Sequence, residues 1–480
     1  MDATATKTAT VTDPATLPAT LGDLRASGWI SRTVADEIAA NLEHRISEGI
    51  PLSIGVKGFE DTVLPQLETA ILASHDVILL GERGQAKTRL IRSLVELLDE
   101  WMPIIAGSEI NDDPENPVSA FAKALVAEKG DDTPIAWIHR SGRYGEKLAT
   151  PDTTIADLIG EVDPIKVAEG RYLSDELTIH YGLVPRVNRG IFAINELPDL
   201  AERIQVGLLN VLEERDIQIR GHRIRLPLDI VLVATANPED YTNRGRIITP
   251  LKDRFGAQIR THYPREVETE MEIVRAEARQ PRTSLPITVP WFVERIITEA
   301  SHLARRSPML NQRSGVSVRL TIANYESVVA NALRRALRTH EDEVVPRVTD
   351  LGATISSTQG KIEIEALEEG REAEVIAQLM AAATLLVFRE HVTLSEAAEI
   401  VTEFEGDVVA HTGDDMPAKD YLELLASVPS LEAPTRRIAG DTAGSGEMAA
   451  ALEFLLEGMH LTKRLNKDAS GARALYRSRG

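Results

Sequence analysis

Short, largely apolar runs separated by stretches of helical spacing dominate the chain between residue 50 and about residue 265. The runs 77–80, 135–138, 190–194, 230–235 and 257–261 are predicted strands. The first four are apolar at nearly every consecutive position, as strands buried on both faces must be, and the short run 257–261 is mixed. The amphipathic segments between them, beginning with a helix over 89–101, predict helices on both faces of a parallel sheet. Ahead of this region, 21–48 carries apolar residues at helical spacing and reads as a helical preface packed on that domain. Beyond about Pro290 the pattern turns helical, with 291–306, 321–338, 372–388 and 448–461 the clearest cases. The predicted fold class is therefore α/β: a five-stranded parallel core with helices on both faces, followed by an all-helical domain.

Boundaries fall where the pattern breaks. Residues 1–20, MDATATKTATVTDPATLPAT, are rich in Thr, Ala and Pro and predict a disordered leader that lacks the apolar core of a signal peptide. The helical preface takes 21–49, the α/β domain 50–285 and the helical domain 286–405. In 406–480 Pro and Gly become frequent, which predicts an extension with one helix. The acidic stretch 361–370 reads as a solvated face.

Candidate chemistry sits at the first strand. Gly81-Glu82-Arg83-Gly84-Gln85-Ala86-Lys87-Thr88 follows the run 77–80 and precedes the predicted helix, the setting of a phosphate-binding P-loop. Gly81 and Gly84 let backbone N–H groups turn toward phosphate oxygens, Lys87 supplies a point charge for the β- and γ-phosphates, and Thr88 offers a hydroxyl to Mg²⁺. Ala86 stands where the general G-x-x-x-x-G-K-[ST] pattern has its second glycine. Two further strands end in polar residues. The run 190–194 ends in Asn195-Glu196, which assigns Glu196 as the base that polarises the attacking water and Asn195 as a neutral acceptor for metal-bound water. The run 230–235 leads to Asn237, an amide able to hold that water and the γ-phosphate; Asn-Pro after a strand is also a common turn.

Transfer of a phosphoryl group needs cations against the charge that develops on it, and arginine's fork of donors suits that task. Arg254, in Leu251-Lys252-Asp253-Arg254-Phe255-Gly256, is the candidate finger toward a neighbouring subunit's nucleotide. Arg319, after Gly315-Val316-Ser317-Val318, is the candidate sensor of its own subunit's phosphates. Either residue taken alone also suits a surface ion pair. The segment 216–225 reads as a hairpin with its tip at Arg220-Gly221-His222, moving or passive.

Composition then narrows the partners. A formal net charge of −21 over 480 residues argues against nucleic acid as a general ligand. With no cysteine, disulfides, thiolate zinc and cysteine catalysis are excluded. His139, His180, His222 and His262 lack the spacing of a zinc site, which leaves the Mg²⁺ of ATP as the expected metal. No run of about eighteen apolar residues predicts a membrane span, and a chain that uses ATP is expected in the cytoplasm.

The order and wording of these motifs, from about residue 51 to Arg319, resemble the AAA+ ATPases, on the branch that holds the MoxR proteins and the magnesium-chelatase ATPase subunit. Ala before Lys87 resembles the MoxR form, whereas 158–163 (LIGEVD) and 182–190 (GLVPRVNRG) resemble the chelatase subunit. The resemblance implies a ring, expected to be a hexamer, that binds Mg·ATP between subunits and drives a separate protein with a von Willebrand factor A domain. It also implies Asp where this chain has Asn195, which puts the rate of hydrolysis in question. Two alternatives remain open: magnesium insertion into protoporphyrin IX as a true chelatase subunit, and a nucleotide-gated scaffold with little hydrolysis. The G-A-F-T-G-A loop of enhancer-binding transcriptional activators is absent.

Overall fold

The computed structural model describes residues 14–53, 55–162, 178–213, 226–237, 245–311, 315–364, 370–406, 408–470 and 473–479. The chain divides into two compact units, one of residues 1–82 and 86–262, the other of residues 83–85 and 263–480.

Nine strands of the first unit are described: β1 (Val77–Leu80), β2 (Trp101–Ile105), β3 (Ile135–His139), β4 (Tyr144–Leu148), β5 (Gly160–Val162), β6 (Ile179–Tyr181), β7 (Gly190–Asn195), β8 (Ile230–Ala236) and β9 (Ala257–Arg260). Five make one sheet in the order β4-β7-β8-β1-β9, every neighbouring pair parallel. Alternate side chains of the inner strands enter opposite cores. Ile78, Phe192, Ile194 and Leu232 join one with Ile204, Leu208 and Leu251. Val77, Ile191, Ala193 and Val233 join the other with Ile38, Leu42, Leu67 and Leu90. Helices therefore cover both faces, and each such aliphatic side chain contributes about 1.5–3 kcal/mol by leaving water.

One expected sheet strand is elsewhere. β3 pairs antiparallel with β2 outside the main sheet, and β2 begins at Trp101, where a helix was expected to end. The helix after β1 stops at Ser93 and tightens into a 3-10 turn over Leu94–Leu97. The fifth place belongs to β4, Tyr-Gly-Glu-Lys-Leu, whose polar composition fits an edge strand.

The helical preface belongs to this unit. Helix Val34–Ser47 starts from Thr33, whose hydroxyl accepts from Asp36 N–H. Its Glu37 meets the fully buried Arg143 in a fork of two bonds at 2.7 and 2.6 Å. Of the leader, residues 14–20 are structured: Ile135 N–H donates to Ala19 C=O at 2.9 Å and Trp137 Nε1 to Pro18 C=O at 2.8 Å.

In the second unit, helices Trp291–Ala304, Val318–Thr339, Glu372–His391 and Ser445–Leu461 share one core, with Phe292 stacked on Phe454 at 4.7 Å between ring centroids. The elements described within 286–405 are helices, as expected, whereas 406–480 holds more than the one helix expected there. Helices Ala418–Ser427 and Pro429–Ala439 precede Ser445–Leu461, and β10 (Val409–Gly413), β11 (Leu465–Ser470) and β12 (Arg473–Ser478) form an antiparallel sheet in the order β10-β12-β11. Buried Glu270 organises the other end of the unit. It accepts from His302 Nε2 at 3.0 Å, from Arg305 at 2.6 and 2.9 Å and from Thr321 Oγ1 at 2.5 Å. Among the described residues no single helix is long and apolar enough to cross a membrane; Glu372–His391 and Leu394–Phe404 reach that measure only together, across a 108° bend.

Candidate nucleotide site

A parallel sheet delivers its loops to the carboxyl edge, and crossovers leave a crevice there. Strand order puts β8 between β7 and β1, so the loops after all three emerge side by side, about 4.8 Å apart from strand to strand. Leu80 is in register with Ala236 and Ile194 with Ala234. Gly81, which opens the P-loop, is thus level with Asn237, and Asn195 with Thr235, two residues earlier.

The loop itself is set by backbone conformation. Gly84 at φ +75° and Ala86 at φ +54° are both left-handed, and Ala86 immediately precedes helix Lys87–Ser93. Left-handed residues ahead of a helix turn successive N–H groups inward, the concave nest that anions occupy. Alanine at φ +54° bears a strain that glycine would not, of the order of 1 kcal/mol. Gly81 N–H donates to Ala236 C=O at 3.0 Å, which ties the loop to the end of β8. Lys87 is buried, and its Nζ donates to the carbonyls of Gly81 and, at 2.8 Å, of Glu82. Gln85 is buried, Glu82 and Thr88 are half-exposed and Arg83 is exposed.

Asn195 and Glu196 are locked by a chain of hydrogen bonds across three strands. Glu196 takes the left-handed conformation at φ +56°, and its N–H donates to Thr235 Oγ1 at 3.0 Å. Thr235 Oγ1 donates in turn to Asn195 Oδ1 at 3.3 Å. Asn195 Nδ2 donates to Glu146 Oε1 at 2.6 Å, from β7 to the neighbouring edge strand β4. Glu146 also accepts from Arg92 at 2.7 and 3.0 Å and from Tyr144 Oη at 2.9 Å. The Arg92 guanidinium, aided by Tyr144 and Asn195 against partial burial, holds the Glu146 carboxyl below its ordinary range, so the group is ionised at neutral pH. The same burial and the Glu146 charge push the Tyr144 phenol up.

The structure therefore brings together the P-loop, Asn195, Glu196 and Asn237, the last of them buried at the end of β8. Arg254 is exposed at the last position of helix Thr249–Arg254 in the same unit. Arg319 is in the second unit, exposed in the first turn of helix Val318–Thr339, where its N–H donates to Ser317 Oγ at 3.1 Å. The 216–225 hairpin and its His222 lie outside the described residues. The other histidines have local partners: His139 bonds Ser141, His262 bonds Thr62 at 2.8 Å, and His180 faces Arg186. Sequence reasoning missed Glu146, Arg92 and Thr235. Nothing in Tyr-Gly-Glu-Lys-Leu announces a strand, so nothing announced that its glutamate stands beside Asn195.

Comparison with known proteins agrees with this geometry. The sequence model of the Sigma-54 interaction domain family matches residues 169–254, a span that includes β7, β8 and Arg254. The magnesium-chelatase 38 kDa subunit of Cereibacter sphaeroides is 30% identical over 210 residues, covering 41% of this chain and 54% of that protein. Magnesium-chelatase subunit ChlI of Anabaena variabilis is 27% identical over 235 residues, covering 48% of this chain and 64% of that one. The chain thus spans little more than half the length of the curated relatives it matches. Among solved structures, a model of the complex between subunits BchI and BchD of magnesium chelatase aligns with a TM-score of 0.36 at 20% identity, covering 69% of this chain and 98% of that one. The five-stranded parallel core with its P-loop, together with these sequence relatives, makes the chain similar to the AAA+ proteins of the magnesium-chelatase ChlI-like branch.

Proposed function

We propose that this chain binds Mg·ATP at the carboxyl edge of its sheet and hydrolyses it to ADP and phosphate as the motor subunit of a ring. The observation that carries the reading is the side-by-side placement of the P-loop, Asn237 and Asn195-Glu196 on β1, β8 and β7. The nest at 84–86 and the buried Lys87 fit a triphosphate, with Gly81 to Thr88 as its cradle. Thr88 Oγ1 and Asn195 Oδ1 would hold Mg²⁺, which supplies charge neutralisation for the β- and γ-phosphates. Glu196 accepts a proton from the attacking water as the bond to the γ-phosphorus forms and the bond to the β–γ bridging oxygen breaks. Asn237 orients that water, Arg254 reaches a neighbouring subunit's nucleotide and Arg319 serves as the phosphate sensor of the second unit. The Glu146 carboxylate, itself paired with Arg92, holds Asn195 Nδ2, and that bond leaves the amide oxygen as the acceptor offered to the metal shell.

The ring, expected to be a hexamer in the cytoplasm, would act on a separate partner with a von Willebrand factor A domain, in the manner of the MoxR chaperones. Magnesium insertion into protoporphyrin IX is the second reading, supported by the chelatase relatives. Asn195 supports a third, a nucleotide-gated scaffold with slow turnover. The absence of G-A-F-T-G-A weighs against transcriptional activation despite the Sigma-54 match. Steady-state phosphate release with Mg²⁺, beside Glu196→Gln, tests the proposal: release that vanishes in the variant supports a motor. Nucleotide binding with no release above the variant overturns hydrolysis by this chain alone.

A further inference from the structure

The second unit holds a cavity of about 330 Å³ that no part of the nucleotide chemistry uses. Its walls come from the 3-10 helix Val348–Ala353, helix Glu372–His391, helix Ser445–Leu461 and the three-stranded sheet. The size lies in the range of small-molecule sites, and the lining has their usual makeup of an apolar wall and a few polar groups. Leu351, Ile376 and Met380, all buried, form the apolar side.

The polar side is asymmetric in charge. Glu453 and Glu457, four residues apart on helix Ser445–Leu461, face the cavity together. Both lining cations are already matched: Lys467 Nζ is 2.7 Å from Glu457 Oε2, and Arg473 is 2.7 Å from Asp415. Glu453 has no such match. Its partners are two neutral donors, Tyr421 Oη on Oε1 and Thr349 N–H on Oε2 at 3.0 Å, which leave acceptor capacity on both oxygens. Beneath it, Arg335 and Arg347 are balanced by Glu341 and Asp350 in pairs of 2.6 to 3.0 Å. Glu453 is therefore the surplus carboxylate of a buried cluster, only 3% exposed. Burial pushes its carboxyl up, with the Arg347 charge opposing. A buried carboxylate whose nearby cations are already held by other carboxylates is costly, and a cation entering the cavity would relieve that cost.

We infer that this cavity is a binding site for a small organic cation, an amine with an aliphatic body of about six carbons, its ammonium on Glu453 and its body against Leu351, Ile376 and Met380. The inference is independent of the nucleotide site. Such a ligand would join the C-terminal sheet to the helical core and raise the unit's resistance to unfolding.

The test is calorimetric titration of the full chain with hexylammonium chloride, sodium hexanoate and 1-hexanol. Hexylammonium is expected to bind saturably at one site, with hexanoate and hexanol at least about tenfold weaker, the ratio a charge-assisted bond supplies. Glu453→Gln is expected to weaken hexylammonium by at least about tenfold. Ala381→Phe, which fills the cavity from helix Glu372–His391 without touching the buried charges, is expected to abolish binding. Should Glu453→Gln fail to fold, Ala381→Phe and the three probes decide the matter. Equal affinity for hexanoate, hexylammonium binding that survives Ala381→Phe, or no saturable heat at millimolar concentration would each overturn the assignment.

Discussion

Replacing Asn195 by aspartate restores the residue that the family resemblance leads one to expect, and the structure predicts that this restoration does harm. Asn195 Nδ2 donates to Glu146 Oε1 at 2.6 Å, so Asn195→Asp exchanges a charge-assisted hydrogen bond for two carboxylates in contact. The lost bond is worth about 1.5–3 kcal/mol. Two full charges at that distance repel by roughly 6 kcal/mol at an effective dielectric of about 20, a figure reduced when the pair takes up one shared proton. With that relief and with Arg92 still bound to Glu146, the net destabilisation is about 2–4 kcal/mol at neutral pH, or roughly 5–15 °C in the melting temperature of the α/β unit. The shared proton raises a folded-state carboxyl pKa above its unfolded value, so the folded variant gains protons and the deficit shrinks as pH falls through that raised pKa to about 4. Exchanging both residues, Glu146→Gln with Asn195→Asp, reverses donor and acceptor and should recover about 2 kcal/mol relative to the single variant. Chemical denaturation of the four proteins at pH 7 and pH 4, with phosphate release measured alongside, checks each step. A single variant as stable as the parent and faster in hydrolysis would refute the view that Glu146 has taken over the carboxylate's place.

Further outcomes are expected at sites where the geometry is as explicit. Lys87→Ala should abolish binding of a fluorescent ATP analogue, whereas Glu196→Gln should retain binding and lose phosphate release by about 100-fold or more. Arg143→Ala leaves Glu37 buried without its partner, which should destabilise the first unit by about 3–5 kcal/mol in urea and expose helix Val34–Ser47 to proteolysis. Glu270 is held down to about 2, because the bonds from His302 and Arg305 outweigh its burial. Its contribution to stability is therefore present above its ordinary pKa near 4.5 and is lost as pH falls from there toward 2; unfolding midpoints of Glu270→Gln and the parent should converge across that window.

What could be read from the sequence follows from which elements are buried on both sides. β1, β7 and β8 are central, so nearly every position is apolar and the runs stand out, and the loops after them carry the candidate site at the edge where a parallel sheet gathers its loops. β4 is an edge strand with half-exposed polar residues, so it was passed over in favour of β3, an apolar run that pairs with β2 instead. The C-terminal elements were hidden for another reason. Pro429 starts a helix that also contains Pro434, and β11 and β12 are mixed in polarity, so punctuation residues obscured ordinary structure.

The same distinction explains why Asn195 looked like a defect. Read along the chain, a carboxylate is missing from the end of β7. Read across the sheet, it is present one strand over, in register with Ala193, where Glu146 receives the amide of Asn195 and the guanidinium of Arg92 from the helix that begins with Lys87. Charge at a strand edge is a property of neighbouring strands together, because a few ångströms separate them and the medium between is only partly aqueous. The carboxylate that the adjacent strand supplies here is itself paired with Arg92, so it positions Asn195 and brings no net charge to the strand end. In this chain the supplying residue is also the one that fixes the rotamer of the substituted one: Asn195 can orient its oxygen toward Thr235 because its nitrogen is taken by Glu146. An ionised aspartate at 195 and an ionised glutamate at 146 repel at this distance, which is the cost the Asn195→Asp variant is expected to show.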